Sequence, residues 1–215
     1  MSDVLAIYEA LDRVQAIIEF ELDGTVITAN QVFLDTFGYG LSEVVGQHHR
    51  VFCEPEYAAS PEYAEFWRGI VSGKTSEAEF KRLGKGGREI WLQASYNPVL
   101  GEDGEPRKVV KFATDVTEAK RQEAEWEGKV AAIDRIQAVI EFELDGTIID
   151  ANANFLSAMG YTLDEVVGRH HRIYCEPEYA ASAEYEEFWR ELAAGEYRAE
   201  EFKRLGKGGR EVWLQ

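Results

Sequence analysis

The segment Leu11–Gln93 recurs as Ile133–Gln215, at a constant offset of 122 positions and with about two positions in three identical. A period that long lies well outside the roughly 20–50 residues of solenoid repeats, so the chain reads as one domain built twice. The first copy has about a hundred residues and the second about 80 up to Gln215, ordinary sizes for small domains with their own cores. Substitutions between the copies mark the packed positions. Val14/Ile136, Ile17/Val139, Val26/Ile148, Val51/Ile173, Phe52/Tyr174 and Ile90/Val212 all keep an apolar or aromatic body, as close-packed sites demand. The copies diverge most between Gly69–Ala78 and Glu191–Glu200, which predicts a helix end and loop there.

The local pattern within copy one supplies the elements. A helix is expected from about Asp3 to Arg13, then a strand in AIIEFEL, a hairpin turn at Asp23-Gly24 and a strand in TVITA. Asn30 is placed to cap a short helix, QVFLDTFGY, which Gly38 ends. LSEVVG forms a second short helix. Ser60 and Pro61 open a longer one, with Ser as N-cap and Pro in the first turn. Strands follow at about Ser76–Leu83, Glu89–Leu100 and Lys108–Asp115, with turns at GKGG and GEDGEP. Two strands, several helices and three strands predict an α+β domain, a five-stranded antiparallel sheet with helices on one face. The stretch TEAKRQEAEWEGKVAAIDR has no proline and puts Ala119, Trp126, Val130 and Ile133 on one face, so a helix joins the copies. The expected organisation is an N-terminal helix over residues 1–13, one domain over 14–117, a connecting helix over 118–135 and a second domain over 136–215. That second domain stops within the strand matching Glu89–Leu100, so either a fragment of a longer protein, the favoured reading, or completion of the sheet by another chain is expected.

These elements, together with the FGY helix end, the EVVG step, the KGGREIWLQASYNPV hairpin and the closing DVT at Asp115–Thr117, resemble a PAS domain in both copies. The wording HHRVFCEPEYA…FW…FKR…WLQASYNPV resembles more narrowly the tandem PAS input region of bacterial methyl-accepting chemotaxis proteins, including soluble receptors of the aerotaxis and biofilm-dispersal kind. The resemblance implies a sensory module in the cytoplasm. It implies a homodimer formed through the flanking helices and a chemoreceptor signalling domain downstream in the full-length protein. Output through a histidine kinase or a cyclic-dinucleotide enzyme is the alternative arrangement.

All four histidines and both cysteines fall in the duplicated block, GQHHRVFC and GRHHRIYC. The resemblance puts this block where PAS domains face a ligand between sheet and helices. Three occupants are considered. The first is haem b, with His49 and His171 as iron ligands and His48 and His170 supporting them. The second is FAD. Photosensors of the light-oxygen-voltage type carry G-x-N-C-R, and here His49 stands at the reactive cysteine while Arg82 and Leu92 replace flavin-holding asparagines, which removes cysteine-adduct chemistry. The third is no cofactor, with structural histidines in a dimerisation and relay scaffold. Trp91 and Trp213 are expected to wall the cavity, as are Trp67 and Trp189. Cys53 and Cys175 read as small buried hydrophobes. Zinc is disfavoured, because no further ligand pair accompanies His49 and Cys53.

The formal net charge is -17, a field that repels nucleic acid and anionic lipid. No apolar run reaches the roughly 20 residues that cross a bilayer. The basic tip KRLGKGGR lacks the P-loop spacing, and no nucleophile elbow or HExxH is present, so no catalytic residue is assigned.

Overall fold

A computed structural model describes residues 3–215, which divide into two compact units meeting between Ala124 and Glu125. In the first unit, helix α1 (Asp3–Asp12) precedes strands β1 (Ala16–Phe20) and β2 (Val26–Ala29). Helices α2 (Gln31–Phe37) and α3 (Leu41–Val44), a 3-10 turn (His49–Phe52), and helices α4 (Pro55–Ala58) and α5 (Pro61–Val71) follow. Strands β3 (Ser76–Leu83), β4 (Glu89–Leu100) and β5 (Pro106–Asp115) close the unit. The sheet is antiparallel, in the order β2-β1-β5-β4-β3. β5 thus lies at the centre, bridging the first hairpin to the second.

Local chemistry sets the helix ends. The Asn30 side chain accepts from the Phe33 amide at 2.9 Å, and Gly38 ends α2 in the left-handed region, φ 76°. Ser60 caps α5 through the Tyr63 amide at 3.1 Å. Asn30 does more than cap. Its Oδ1 also accepts from Ile17 N–H, and its Nδ2 donates to the carbonyls of Asp12 and Gln15, so one side chain ties the end of α1, the start of β1 and α2 together.

Inward residues alternate along β4 as Ile90, Leu92, Ala94 and Tyr96, and they pack against Phe33, Phe37 and Phe52 from the helical side. The unit's exit is also built. Asp115 Oδ1 accepts from Thr117 N–H at 2.9 Å, Thr117 Oγ1 accepts from Trp91 N–H at 2.9 Å, and Val116 N–H donates to the Trp91 carbonyl. Helix α6 (Thr117–Ile136) begins there.

The second unit repeats the plan with β6 (Ile140–Phe142), β7 (Ile148–Ala151), α7 (Ala153–Met159), α8 (Leu163–Val166), a 3-10 turn (His171–Tyr174), α9 (Pro177–Ala180), α10 (Ala183–Ala193), β8 (Phe202–Leu205) and β9 (Glu211–Leu214). The five-stranded sheet is found in the first unit; in the second, expected to stop within the strand matching β4, no five-stranded sheet forms among the described residues. In the second, β6-β7 and β8-β9 form separate two-stranded sheets. The reason is topological: β5 joins the two hairpins in the first unit, and the positions 122 residues beyond β5 lie past Gln215. Asn152 repeats the junction of Asn30, bonding Val139 N–H, Phe155 N–H and the carbonyls of Asp134 and Gln137. Among the described residues no helix is long and apolar enough to cross a membrane.

Candidate functional site

The first unit carries polar groups where a small domain would ordinarily place hydrocarbon. His49 is wholly buried on the 3-10 turn that follows α3. Its Nδ1 is hydrogen-bonded to the Tyr63 hydroxyl at 3.0 Å and its Nε2 to the Tyr96 hydroxyl at 2.9 Å. The thiol of Cys53 stands 3.8 Å from Nδ1. Phe20 meets the imidazole edge-on at a centroid distance of 5.3 Å, and Trp67 lies 5.2 Å away. Burial, reinforced by Arg82 and Lys111, holds the imidazole pKa well below its ordinary value, so the ring is neutral, with one nitrogen donating and the other accepting.

Two cations share this interior. Arg82, on β3, is 3% exposed, and Lys111, on β5, is 2% exposed. The guanidinium donates through Nη1 to the Lys81 carbonyl and through Nη2 to the Tyr96 hydroxyl at 3.2 Å, and it lies 4.7 Å over the Phe80 ring. Its Nε–H is buried with no partner. The Lys111 ammonium sits 4.9 Å from the centroid of the Tyr96 ring. Burial, with Arg82 beside it, drives the Lys111 pKa well below the usual lysine value. The Tyr96 hydroxyl, raised by burial against the opposing pull of Arg82, reaches about 12. Tyr96 is the hub: histidine, arginine and lysine all converge on it.

The other histidine of each pair has a different task. His48 Nδ1 accepts from Arg50 N–H at 3.2 Å and so caps the 3-10 turn. Its ring lies against the Asp23-Gly24 turn, where a Cβ on Gly24 would come within 3.0 Å of the imidazole at a backbone φ of +92°. His170 caps the second turn through Arg172 N–H in the same way.

In the second unit, His171 Nδ1 is bonded to the Tyr185 hydroxyl at 3.1 Å, and burial next to Arg204 takes its pKa down to about 3. A cavity of about 230 Å³ opens beside it, bounded by Ile140, Phe142, Phe155, Tyr174 and Arg204 among others. Trp189 Nε1 is buried without a partner, whereas its counterpart Trp67 donates to the Leu22 carbonyl at 2.7 Å.

Several expected site residues stand elsewhere. Trp91 alternates with inward-facing Ile90 and Leu92 and therefore occupies the opposite face of the sheet from His49, while Trp213 is 64% exposed. Trp67 and Trp189 are the tryptophans in contact with the histidines. As arranged, His49 does not fit the role of a haem ligand, because protein hydroxyls occupy both ring nitrogens. Burial raises the pKa of both cysteine thiols, as inert packing residues require. No cluster of three or more metal-ligating side chains occurs among the described residues.

Tyr63, Tyr96 and Lys111 do not stand out in the sequence. A signal existed for Arg82, because it shares strand parity with Phe80 and so faces the core. The central strand VVKFA gave no such sign for Lys111, being apolar at both parities.

A family model described as the PAS fold matches residues 12–121 and again 135–215. The chain belongs to the PAS-fold family. It is 42% identical over 206 residues to the biofilm dispersion protein BdlA of Pseudomonas aeruginosa, covering 96% of this chain and 49% of that protein. It is 28% identical over 123 residues to the oxygen sensor protein DosP of Escherichia coli, covering 57% of this chain and 15% of that one. Among solved structures, an RNA-binding light-oxygen-voltage receptor aligns with a TM-score of 0.50 at 20% identity, over 61% of this chain and 39% of that one. The chain spans about half or less of the length of these curated relatives.

Proposed function

We propose that this chain is the sensory input segment of a bacterial signalling protein of the chemoreceptor kind. In this reading, the cluster around His49 and Tyr96 is the sensing element of the first PAS unit. The observation that carries it is the burial of a neutral imidazole, two tyrosine hydroxyls and two cations between sheet and helices. A hydrocarbon core would be cheaper there, since buried polar and charged groups are costly unless fully paired. A ligand that pairs them biases the packing of β4 against the helices by its differential affinity for the two arrangements. The bias passes to α6 through the bonds between Trp91 and Thr117. Likeness to an oxygen sensor supports a small-molecule stimulus, and likeness to a biofilm dispersion protein supports a behavioural output. The full-length protein supplies the output domain, and paired flanking helices make it a dimer. The chain's own chemistry is binding and relay, with no catalytic step.

The second reading is a ligand-free relay scaffold, favoured by the full occupation of both His49 nitrogens. One experiment separates the readings. Hydrogen exchange of residues 117–136 is followed in the native chain and in Tyr96→Phe, beside absorption spectra taken after growth with haem and riboflavin, before and after reduction. Altered exchange in the first turns of α6 with a colourless chain supports the proposal. Unaltered exchange leaves the scaffold. A Soret or flavin band that shifts on reduction identifies the stimulus as redox or gas chemistry and overrides the fit derived above.

A further inference from the structure

The first unit holds an imbalance of charge that its own residues do not correct. Arg82 and Lys111 face the same interior, and among the described residues neither forms a salt bridge with a carboxylate. The groups facing Lys111 from the neighbouring elements are Tyr96 on β4, His49 on the 3-10 turn, Arg82 on β3 and Cys53 beyond the turn, so there is no anion among them. Lysine can shed its proton under such conditions. Arginine cannot, and Arg82 keeps a full charge and an unpartnered Nε–H at the centre of a domain. An interior with a permanent cation, an orphan donor and a second amine, but no acceptor with a negative charge, is complementary to an anion.

We propose that the interior of the first PAS unit binds a small carboxylate, held between the Arg82 guanidinium and the Lys111 ammonium, with the Tyr96 hydroxyl and His49 as its neutral neighbours. A carboxylate is favoured over a bare inorganic ion because its two coplanar oxygens match the fork of guanidinium donors. The Phe80 and Tyr96 rings beside Arg82 suit the short apolar body that an inorganic ion lacks. The proposal rests on the sensory reading for its purpose, yet the two fail separately. Binding without any change in α6 would sink the sensing and keep the site, and a haem or flavin signal without carboxylate binding would do the reverse.

The test is calorimetric titration and thermal denaturation of the whole chain with acetate, succinate and inorganic phosphate at constant ionic strength, with chloride as the reference. It is run on the native chain and on Lys111→Met and Arg82→Gln. Lys111→Met removes the buried amine, keeps most of the stem volume and is expected to fold with a raised Tm in chloride. Acetate or succinate should raise the native Tm above the chloride value, with protection from hydrogen exchange localised to β4 and β5. In Lys111→Met the affinity should fall roughly tenfold to a hundredfold, the factor of one charge-assisted hydrogen bond. Arg82→Gln, if folded, should lose the response. A response to phosphate equal to that to carboxylates, or one retained in Lys111→Met, means an adventitious ion only and overturns the proposal. The absence of any response in the native chain overturns it as well.

Discussion

Replacing His49 by Leu removes the common partner of two hydroxyls while leaving a side chain of similar bulk. Tyr63 then has no other hydrogen-bond partner for its hydroxyl, and stranding a buried hydroxyl costs about 1–3 kcal/mol. Tyr96 retains Arg82 and loses one bond of two, about 1 kcal/mol more. The single variant should therefore lose about 2–4 kcal/mol of local stability. Adding Tyr63→Phe should recover about 1–3 kcal/mol, because the stranded group itself is gone, so the double-mutant cycle should show a coupling of that size. Native-state hydrogen exchange of peptides from β4 and β5 reads the first unit alone, with β7 and α7 as internal control. A loss below about 0.5 kcal/mol with no coupling would mean that water reaches these hydroxyls, and the closed network would be refuted.

Other expectations come from the same geometry. His171, with a pKa of about 3 in the folded chain against about 6.5 unfolded, takes up its proton in the unfolded state first. Its contribution is complete above pH ~6.5 and is lost as the pH falls toward 3, by up to about 1.4 kcal/mol per unit; a stability profile flat across that window would contradict the burial. His49 acts in the same direction. Asn152→Ala breaks four bonds at the end of α6 and should cost about 2–4 kcal/mol, with exchange protection lost at the amides of Val139 and Phe155. Gly24→Ala forces a side chain into φ +92° against His48 and should destabilise by about 1–3 kcal/mol, visible in thermal melts, whereas Gly69→Ala in α5 meets open space and should not.

The fold was largely legible because its signals are local. Asn30, Gly38 and the Ser60-Pro61 pair mark helix ends by their own chemistry, and β3 and β4 begin and end where their alternation does. The exit at Asp115–Thr117 was legible for the same reason. The interior cluster was only half legible. The duplicated histidine pair drew attention to the right segment, yet sequence does not say which neighbours fold back onto it. Tyr63 is 14 positions from His49, Tyr96 is 47 away, and the bonds that engage both imidazole nitrogens are long-range facts. Trp91 misleads because an apolar residue in an amphipathic strand suggests the core until its parity is counted against Ile90 and Leu92. Lys111 was hidden because β5 is central and apolar on both faces, which erases the alternation that would have flagged an inward lysine.

The joint between β4 and α6 is written mostly in peptide groups, the amide and carbonyl of Trp91 meeting Thr117 and Val116, with the Thr117 hydroxyl and the Asp115 carboxylate as its side-chain components. Such a hinge is indifferent to drift in the side chains around it. Trp91→Pro or Thr117→Val would remove the bond from Trp91 N–H to the Thr117 hydroxyl and leave the bond from Val116 N–H to the Trp91 carbonyl. The joint is equally blind to the identity of the domain downstream. The Thr117 hydroxyl and the Val116 amide reach the backbone of Trp91 without reading its ring, so these bonds place no demand on the sequence of α6 beyond its first turn.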